Sequence, residues 1–146
     1  MEYYGRMRYM GIDYGSKKVG IALSDEAGTM GFPHAVMQNT GALLENLAAL
    51  VKEKDVGAIV VGESRDFRGA PNTIAKDARA LGEALSEKSG IPVYYEPETY
   101  TTQEARRFPD GTRMEGSPDV DAAAAALILT GYLDRGRKVY STDDHD

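Results

Sequence analysis

The sequence predicts an α/β protein built around an open sheet, and three observations carry that prediction. Tyr9 to Asp13 and Val19 to Leu23 are short strand-like runs separated by a break at Tyr14-Gly15-Ser16-Lys17-Lys18, the pattern of a β-hairpin. Val56-Gly57-Ala58-Ile59-Val60-Val61-Gly62 is a continuous apolar run, best read as a buried strand. Stretches with helical periodicity flank that run, and Ile91 to Tyr95 supplies a further strand after the second of them. A strand–helix–strand order of this kind implies parallel pairing with a right-handed crossover.

The elements follow in order. In the hairpin, Gly11 and Asp13 share one face and Met10 and Ile12 the other, because side chains alternate along a strand. Val19, Ile21 and Leu23 form an apolar face on the second strand and leave Gly20 and Ala22 opposite. If Asp13 lies on the side of Gly20 and Ala22, it stands among small side chains, with room for a metal ion or a substrate backbone. Met30 to Met37 is a third, short strand weakened by Pro33. Thr40 to Lys54 is an amphipathic helix whose Leu43, Leu44, Leu47, Leu50 and Val51 fall on one face, with Asn39 or Thr40 as its cap. A polar loop, Glu63 to Gly69, precedes a helix over residues 72–89 with Ile74, Ala78, Leu81 and Leu85 as its buried stripe and Gly90 as its stop. Residues 100–107 read as a short helix and 108–116 as a mobile loop. Ser117-Pro118 opens the last helix, a good cap followed by Pro in the first turn, and that helix is expected to reach Arg135. The acidic tail 141–146 is expected to be disordered. The whole of 1–146 reads as one domain, with 1–6 a candidate leader if Met7 is the natural start.

Bulk properties narrow the function. A chain of 146 residues, 42% hydrophobic and 27% charged, suits one globular domain with a normal core. It has no cysteine, which removes disulfides and thiolate metal sites. There is no apolar run of the roughly 20 residues that a membrane helix needs and no secretory h-region, so a cytoplasmic location without a membrane partner is expected. A net charge of −6 argues against a protein that coats nucleic acid through a basic surface. It does not argue against a metal-dependent nuclease, because bound cations reverse the local field.

Carboxylates at three places can converge. Asp13 ends the first strand. Glu96-Pro97-Glu98 follows the Ile91 to Tyr95 strand, and ligand crevices in open α/β sheets lie at the carboxyl ends of parallel strands; spacing alone leaves Glu96 and Glu98 as rivals. Asp121 shares a helix face with Ala124, Ala125 and Ile128, a small-residue face that lets a helix lie close to a sheet. Asp119 points elsewhere and is explained by the helix dipole. Three such acids can hold two divalent cations roughly 3.5–4 Å apart for phosphodiester hydrolysis, and an oxygen-only ligand set favours Mg²⁺ or Mn²⁺. No His stands in a catalytic motif, and Gly15 to Gly20 is not a P-loop.

The segment Met10-Gly-Ile-Asp-Tyr-Gly-Ser-Lys-Lys-Val-Gly-Ile-Ala-Leu-Ser-Asp25 resembles the opening signature of the YqgF/RuvX family, the pre-16S rRNA nucleases and Holliday junction resolvases of the RNase H-like superfamily. Ile59 to Gly62, Pro97-Glu98-Thr99-Tyr100-Thr101-Thr102 and Val120-Asp121 through Leu129 resemble its later motifs. The resemblance implies an RNase H-like fold: a mixed five-stranded sheet, first three strands antiparallel, with helices on both faces. It implies Asp13, Glu98 and Asp121 as the catalytic, metal-binding acids, and so decides for Glu98 over Glu96. Two positions depart from the family pattern: Thr99 replaces an Arg, and Gly62-Glu63-Ser64 replaces Gly-Leu-Pro. The expected activity is metal-dependent endonucleolysis of structured nucleic acid, foremost a ribosomal RNA precursor and alternatively branched DNA. Lys17, Lys18, Arg106, Arg107 and Arg113 are the candidate phosphate contacts, and a homodimer is the candidate assembly. A non-catalytic nucleic-acid-binding module of the same fold is the rival class. A sugar-kinase-like phosphotransferase is disfavoured by the chain's length.

Overall fold

The computed structural model describes residues 7–63, 73–97 and 118–144. Strands β1 (Arg8–Tyr14), β2 (Lys18–Ser24) and β3 (Gly31–Gln38) precede helix α1 (Leu43–Glu53). Then come β4 (Val56–Glu63), α2 (Thr73–Ser89), β5 (Val93–Pro97) and α3 (Pro118–Asp144). The strands form one sheet in the order β3-β2-β1-β4-β5. β1 pairs antiparallel with β2, and β2 with β3; β1 pairs parallel with β4, and β4 with β5. This is the expected mixed sheet with its first three strands antiparallel. Pro33 is tolerated because β3 is an edge strand. His34 is the extra residue of a β-bulge, since Ala22 pairs Pro33 while Ile21 pairs Ala35.

Alternation sorts the strands into two faces. Met10, Ile12, Val19, Ile21, Ile59 and Val61 are buried against Leu43, Leu47, Leu50 and Val51 of α1 and Ala78 and Leu85 of α2. On the opposite face Ala22 and Val60 meet Ala125, Ala126, Ile128, Leu129 and Leu133 of α3. That second face works through smallness. A Cβ on Gly11 would stand 2.9 Å from the Leu129 Cβ and 3.0 Å from the Ala125 carbonyl oxygen, so α3 rests on bare strand backbone. The Thr130 hydroxyl oxygen accepts from the Gly31 N–H at 3.0 Å and fixes the helix to the edge strand.

Several boundaries differ from the sequence-based expectation. Helix α1 starts at Leu43 rather than Thr40. The Thr40 hydroxyl accepts from the Ala42 N–H at 3.2 Å, while Asn39 serves the β1–β2 turn instead of the helix. Strand β5 spans Val93–Pro97 rather than 91–95, because its pairing with β4 begins at Ile59 opposite Val93, with the Pro92 carbonyl accepting from the Ile59 N–H at 3.0 Å. Glu96 is therefore a strand residue, and Glu63, expected in a loop, closes β4. Helix α3 continues past Arg135 to Asp144, so 141–144 are helical and not an irregular tail; no proline follows Pro118 to stop propagation. Helix α2 ends at Gly90, which takes φ +76° as a left-handed stop requires. The expected loop at 64–69, short helix at 100–107 and loop at 108–116 lie outside the described residues.

Candidate functional site

Asp13 occupies the carboxyl-terminal end of β1 and is 3% exposed. Its neighbours in register are Gly20 on β2 and Gly62 on β4, and Gly62 in turn pairs with Glu96 on β5. One row thus reads Gly20, Asp13, Gly62, Glu96. Residues paired across neighbouring strands project to the same face, so the Asp13 carboxylate projects from the face that carries α3, with glycine on both sides of it. The expectation that Asp13 stands among small residues holds.

Helix α3 runs antiparallel to β1. Ala125 and Leu129 lie over Gly11, while Tyr132, further on in the helix, meets Tyr9, earlier in the strand, at 6.3 Å between ring centroids. One turn back from Ala125 and two residues on from Gly11 are therefore the same direction. That brings the backbones of Asp121, in the first turn of α3, and Asp13 to one end of the sheet. Strand β5 ends at the same level, since Glu96 and Pro97 pair with Gly62 and Glu63. Glu98, the next residue, lies outside the described residues, as do Arg106, Arg107 and Arg113. Among the described residues no cluster of three or more metal-ligating His, Asp or Glu occurs. Of the expected acids, Asp13 is the one whose side chain is described. A buried carboxylate between two glycines at a strand end fits a hard divalent cation, which takes oxygen donors and needs space for further ligands.

The β1–β2 turn is held firmly. A Cβ on Gly15 would stand 2.5 Å from the Lys18 carbonyl oxygen, so only glycine allows this turn to close. The Asn39 side-chain amide donates to the Gly15 carbonyl at 2.8 Å, and its N–H donates to the Lys17 carbonyl at 2.9 Å. Lys17 is exposed and Lys18 half-buried at this tip.

Spacing alone leaves Glu96 a rival of Glu98 in the loop after the strand. Glu96 is instead 8% exposed and ion-paired with Arg135 of α3. Beside that pair, Tyr94 stacks on Tyr132 at 5.7 Å and 22°. Burial, with Tyr94 and Tyr9 beside it, holds the Tyr132 hydroxyl above its usual range. Sequence reading missed this group. The signal available was local on each side: Tyr94 and Glu96 at strand spacing, and Tyr132 and Arg135 at helix spacing. Nothing local pairs the two.

The family described as RuvX: Holliday junction resolvase matches residues 7–135. A Lactobacillus acidophilus protein named "Putative pre-16S rRNA nuclease" is 37% identical, the match covering 90% of this chain and 99% of the relative. An Anaplasma marginale protein of the same name is 36% identical, with 89% and 86% covered. Among solved structures, Thermus thermophilus RuvC superimposes with a TM-score of 0.60 at 15% identity, covering 90% of this chain and 97% of that one. The fowlpox virus Holliday junction resolvase gives 0.52 at 13% identity, with 88% and 99% covered. At such identities the last two speak to the fold alone.

Proposed function

The chain belongs to the RuvX family, and from that membership we propose that it is a divalent-metal-dependent endonuclease that trims the precursor of 16S ribosomal RNA. The observation that carries the reading is the buried, glycine-flanked Asp13 at the end of the sheet where β5 finishes and α3 begins. Asp13, Glu98 and Asp121 are the residues that would hold two ions, Mg²⁺ or Mn²⁺. Bound cations supply an activated water and offset the charge that develops on the leaving oxygen. In hydrolysis the water gives up a proton as its oxygen bonds to phosphorus, the bond from phosphorus to the departing ribose oxygen breaks, and that oxygen takes up a proton as it leaves.

The chain's own residues do the positioning. Gly20 and Gly62 keep side chains away from Asp13, so a phosphate can approach the strand end closely. In this reading Lys17 and Lys18, on a turn clamped by Gly15 and Asn39, meet flanking phosphates, a task shared with Arg106, Arg107 and Arg113. The name of the matching family supports a second reading, cleavage of a four-way DNA junction.

A cleavage assay separates the readings. Wild type and Asp13→Asn are incubated with single-stranded RNA, a pre-16S fragment and a four-way DNA junction, each with Mg²⁺, Mn²⁺ or EDTA. Metal-dependent cutting of the precursor that Asp13→Asn loses is the expected result. Preferred cutting of the junction would replace the RNA reading with the DNA one. No cutting of any substrate with binding retained would make the chain a non-catalytic nucleic-acid module.

A further inference from the structure

The β5 edge of the α3-bearing face carries a second group of side chains, separate from the acids. Tyr94 is 42% exposed despite its size. Its ring is held by Tyr132, stacked at 5.7 Å and 22°, and Tyr132 is held by Tyr9 at 6.3 Å. Tyr132 is half-buried and anchored in α3, so Tyr94 is an exposed ring on a fixed support. One strand pleat further on, Glu96 grips the Arg135 guanidinium. The carboxylate is nearly buried, whereas the Arg135 side chain is 56% exposed, so its charge faces outward in an orientation that Glu96 sets.

An exposed aromatic ring beside an outward-facing, pre-oriented guanidinium is suited to an unpaired nucleotide. The ring offers a π-face to any base, and the cation meets a backbone phosphate. A duplex does not fit this pairing, because its bases are already stacked inside the helix. The place is also right for a strand that reaches the acids. Glu96 lies in the same cross-strand row as Asp13, two strands away, which at the usual inter-strand spacing is roughly 10 Å.

We propose that Tyr94 and Arg135 form a subsite for a single-stranded segment of nucleic acid, with a base stacked on Tyr94 and a phosphate on Arg135, and with Glu96 as a positioning residue for the guanidinium. The subsite deepens the nuclease reading and rests on it for its purpose, though not for its test. A substrate gripped there enters the acidic end from the β5 edge as an unpaired strand. The neighbouring duplex stays outside.

The test measures binding in EDTA, so that no cleavage is required. Fluorescently labelled oligouridylate, oligothymidylate and a blunt RNA duplex are titrated with full-length wild type, Tyr94→Ala, Tyr94→Phe, Arg135→Ala and Glu96→Gln. Wild type should favour the single strands over the duplex. Tyr94→Ala should weaken single-strand binding by roughly 5- to 150-fold, the range for loss of one stacked base, and Tyr94→Phe should restore it. Arg135→Ala should lower the salt dependence of binding by roughly 0.7 in slope, the share of one phosphate on a single strand. Glu96→Gln should weaken binding while leaving that slope near the wild-type value. Unchanged affinity in a folded Tyr94→Ala protein would overturn the subsite, as would a Tyr94→Phe protein that binds as poorly as Tyr94→Ala. Neither result would touch the cleavage assay, and a wild type that binds single strands through Tyr94 yet cuts nothing would retire the nuclease while keeping the subsite.

Discussion

Gly11 concentrates the constraints on this site. It lies two residues before Asp13 and beneath Ala125 and Leu129, where α3 closes onto strand backbone. The two atoms that a new Cβ would strike, the Leu129 Cβ at 2.9 Å and the Ala125 carbonyl oxygen at 3.0 Å, belong to the helix frame and cannot swing aside as the end of a long side chain can. Gly11→Ala must therefore lift α3 from the sheet. We expect it to cost about 1–3 kcal/mol, the usual range for overpacking, despite the small gain from stiffening the unfolded chain. Gly41→Ala is the control. Its added Cβ meets nothing within 4 Å, so its effect should stay within about 0.5 kcal/mol. Urea titration of both variants reads the difference, and equal stabilities would mean that the helix has slack. Asp13 is partly legible from sequence for the same reason that Gly11 is: alternation puts both on one face of the first strand, and the small Gly20 and Ala22 suggest a close approach, while the register supplies the match between them. Glu96 is not legible. Its burial depends on a register set by β4 and on Arg135, far away in the chain, and neither leaves a local trace.

At the scale of elements, the turns do more than connect. The β2–β3 turn is organised by Asp25, whose carboxylate accepts from the Thr29 hydroxyl, from the Thr29 N–H at 2.7 Å and from the Met30 N–H at 3.3 Å. The Thr29 hydroxyl is the largest influence on the Asp25 carboxyl and lowers it below its ordinary 3.8; burial opposes it as the next largest, and the backbone donors add to the lowering. A carboxyl lowered in the folded state contributes stability that is present above its unfolded pKa and lost as pH falls through the folded value. Wild type should thus melt above Thr29→Ala at neutral pH, and the gap should close on acidification below 3.8. A gap that is constant from pH 7 to pH 2 would mean that Thr29 acts by packing alone. Asp25 and Thr29 are four residues apart, so this turn chemistry is local, whereas the exact pairing of β5 is not: Pro92 delays the strand, and a five-residue edge strand has too few residues for its own pattern to fix where it begins. Helix α3 is the reverse case. Its small-residue face is plain from Ala122 to Leu129, but its far end is not, because beyond Leu133 the residues carry no apolar period to follow.

At the scale of the whole molecule, the acidic end gathers elements that are far apart in the chain: β1 at the start, the end of β5, and the opening of α3. Among the described residues the sheet and α3 hold this end together through contacts around glycine and alanine, with the carboxylate of Asp13 already withdrawn from water. Withdrawing a carboxylate from water carries a desolvation cost that an amide does not, so Asp13→Asn should melt at or above the temperature of the metal-free wild type. Cation binding reverses the comparison. A ligand that binds the folded state alone adds about 2.7 kcal/mol at a concentration 100-fold above its dissociation constant, which for a chain of this length raises the melting temperature by roughly 5–10 °C. Mn²⁺ should therefore stabilise the wild type in thermal unfolding, and EDTA should reverse the shift. Asp13→Asn should lose the response, because the first strand would no longer share in the grip. The acidic tail offers cations a second place to gather, with Asp143, Asp144 and Asp146 close together in sequence. An equal shift in wild type and Asp13→Asn would place the cations there, away from the buried Asp13 carboxylate. A shift that only the wild type shows would mean that the metal joins elements the chain keeps apart, and does so through Asp13.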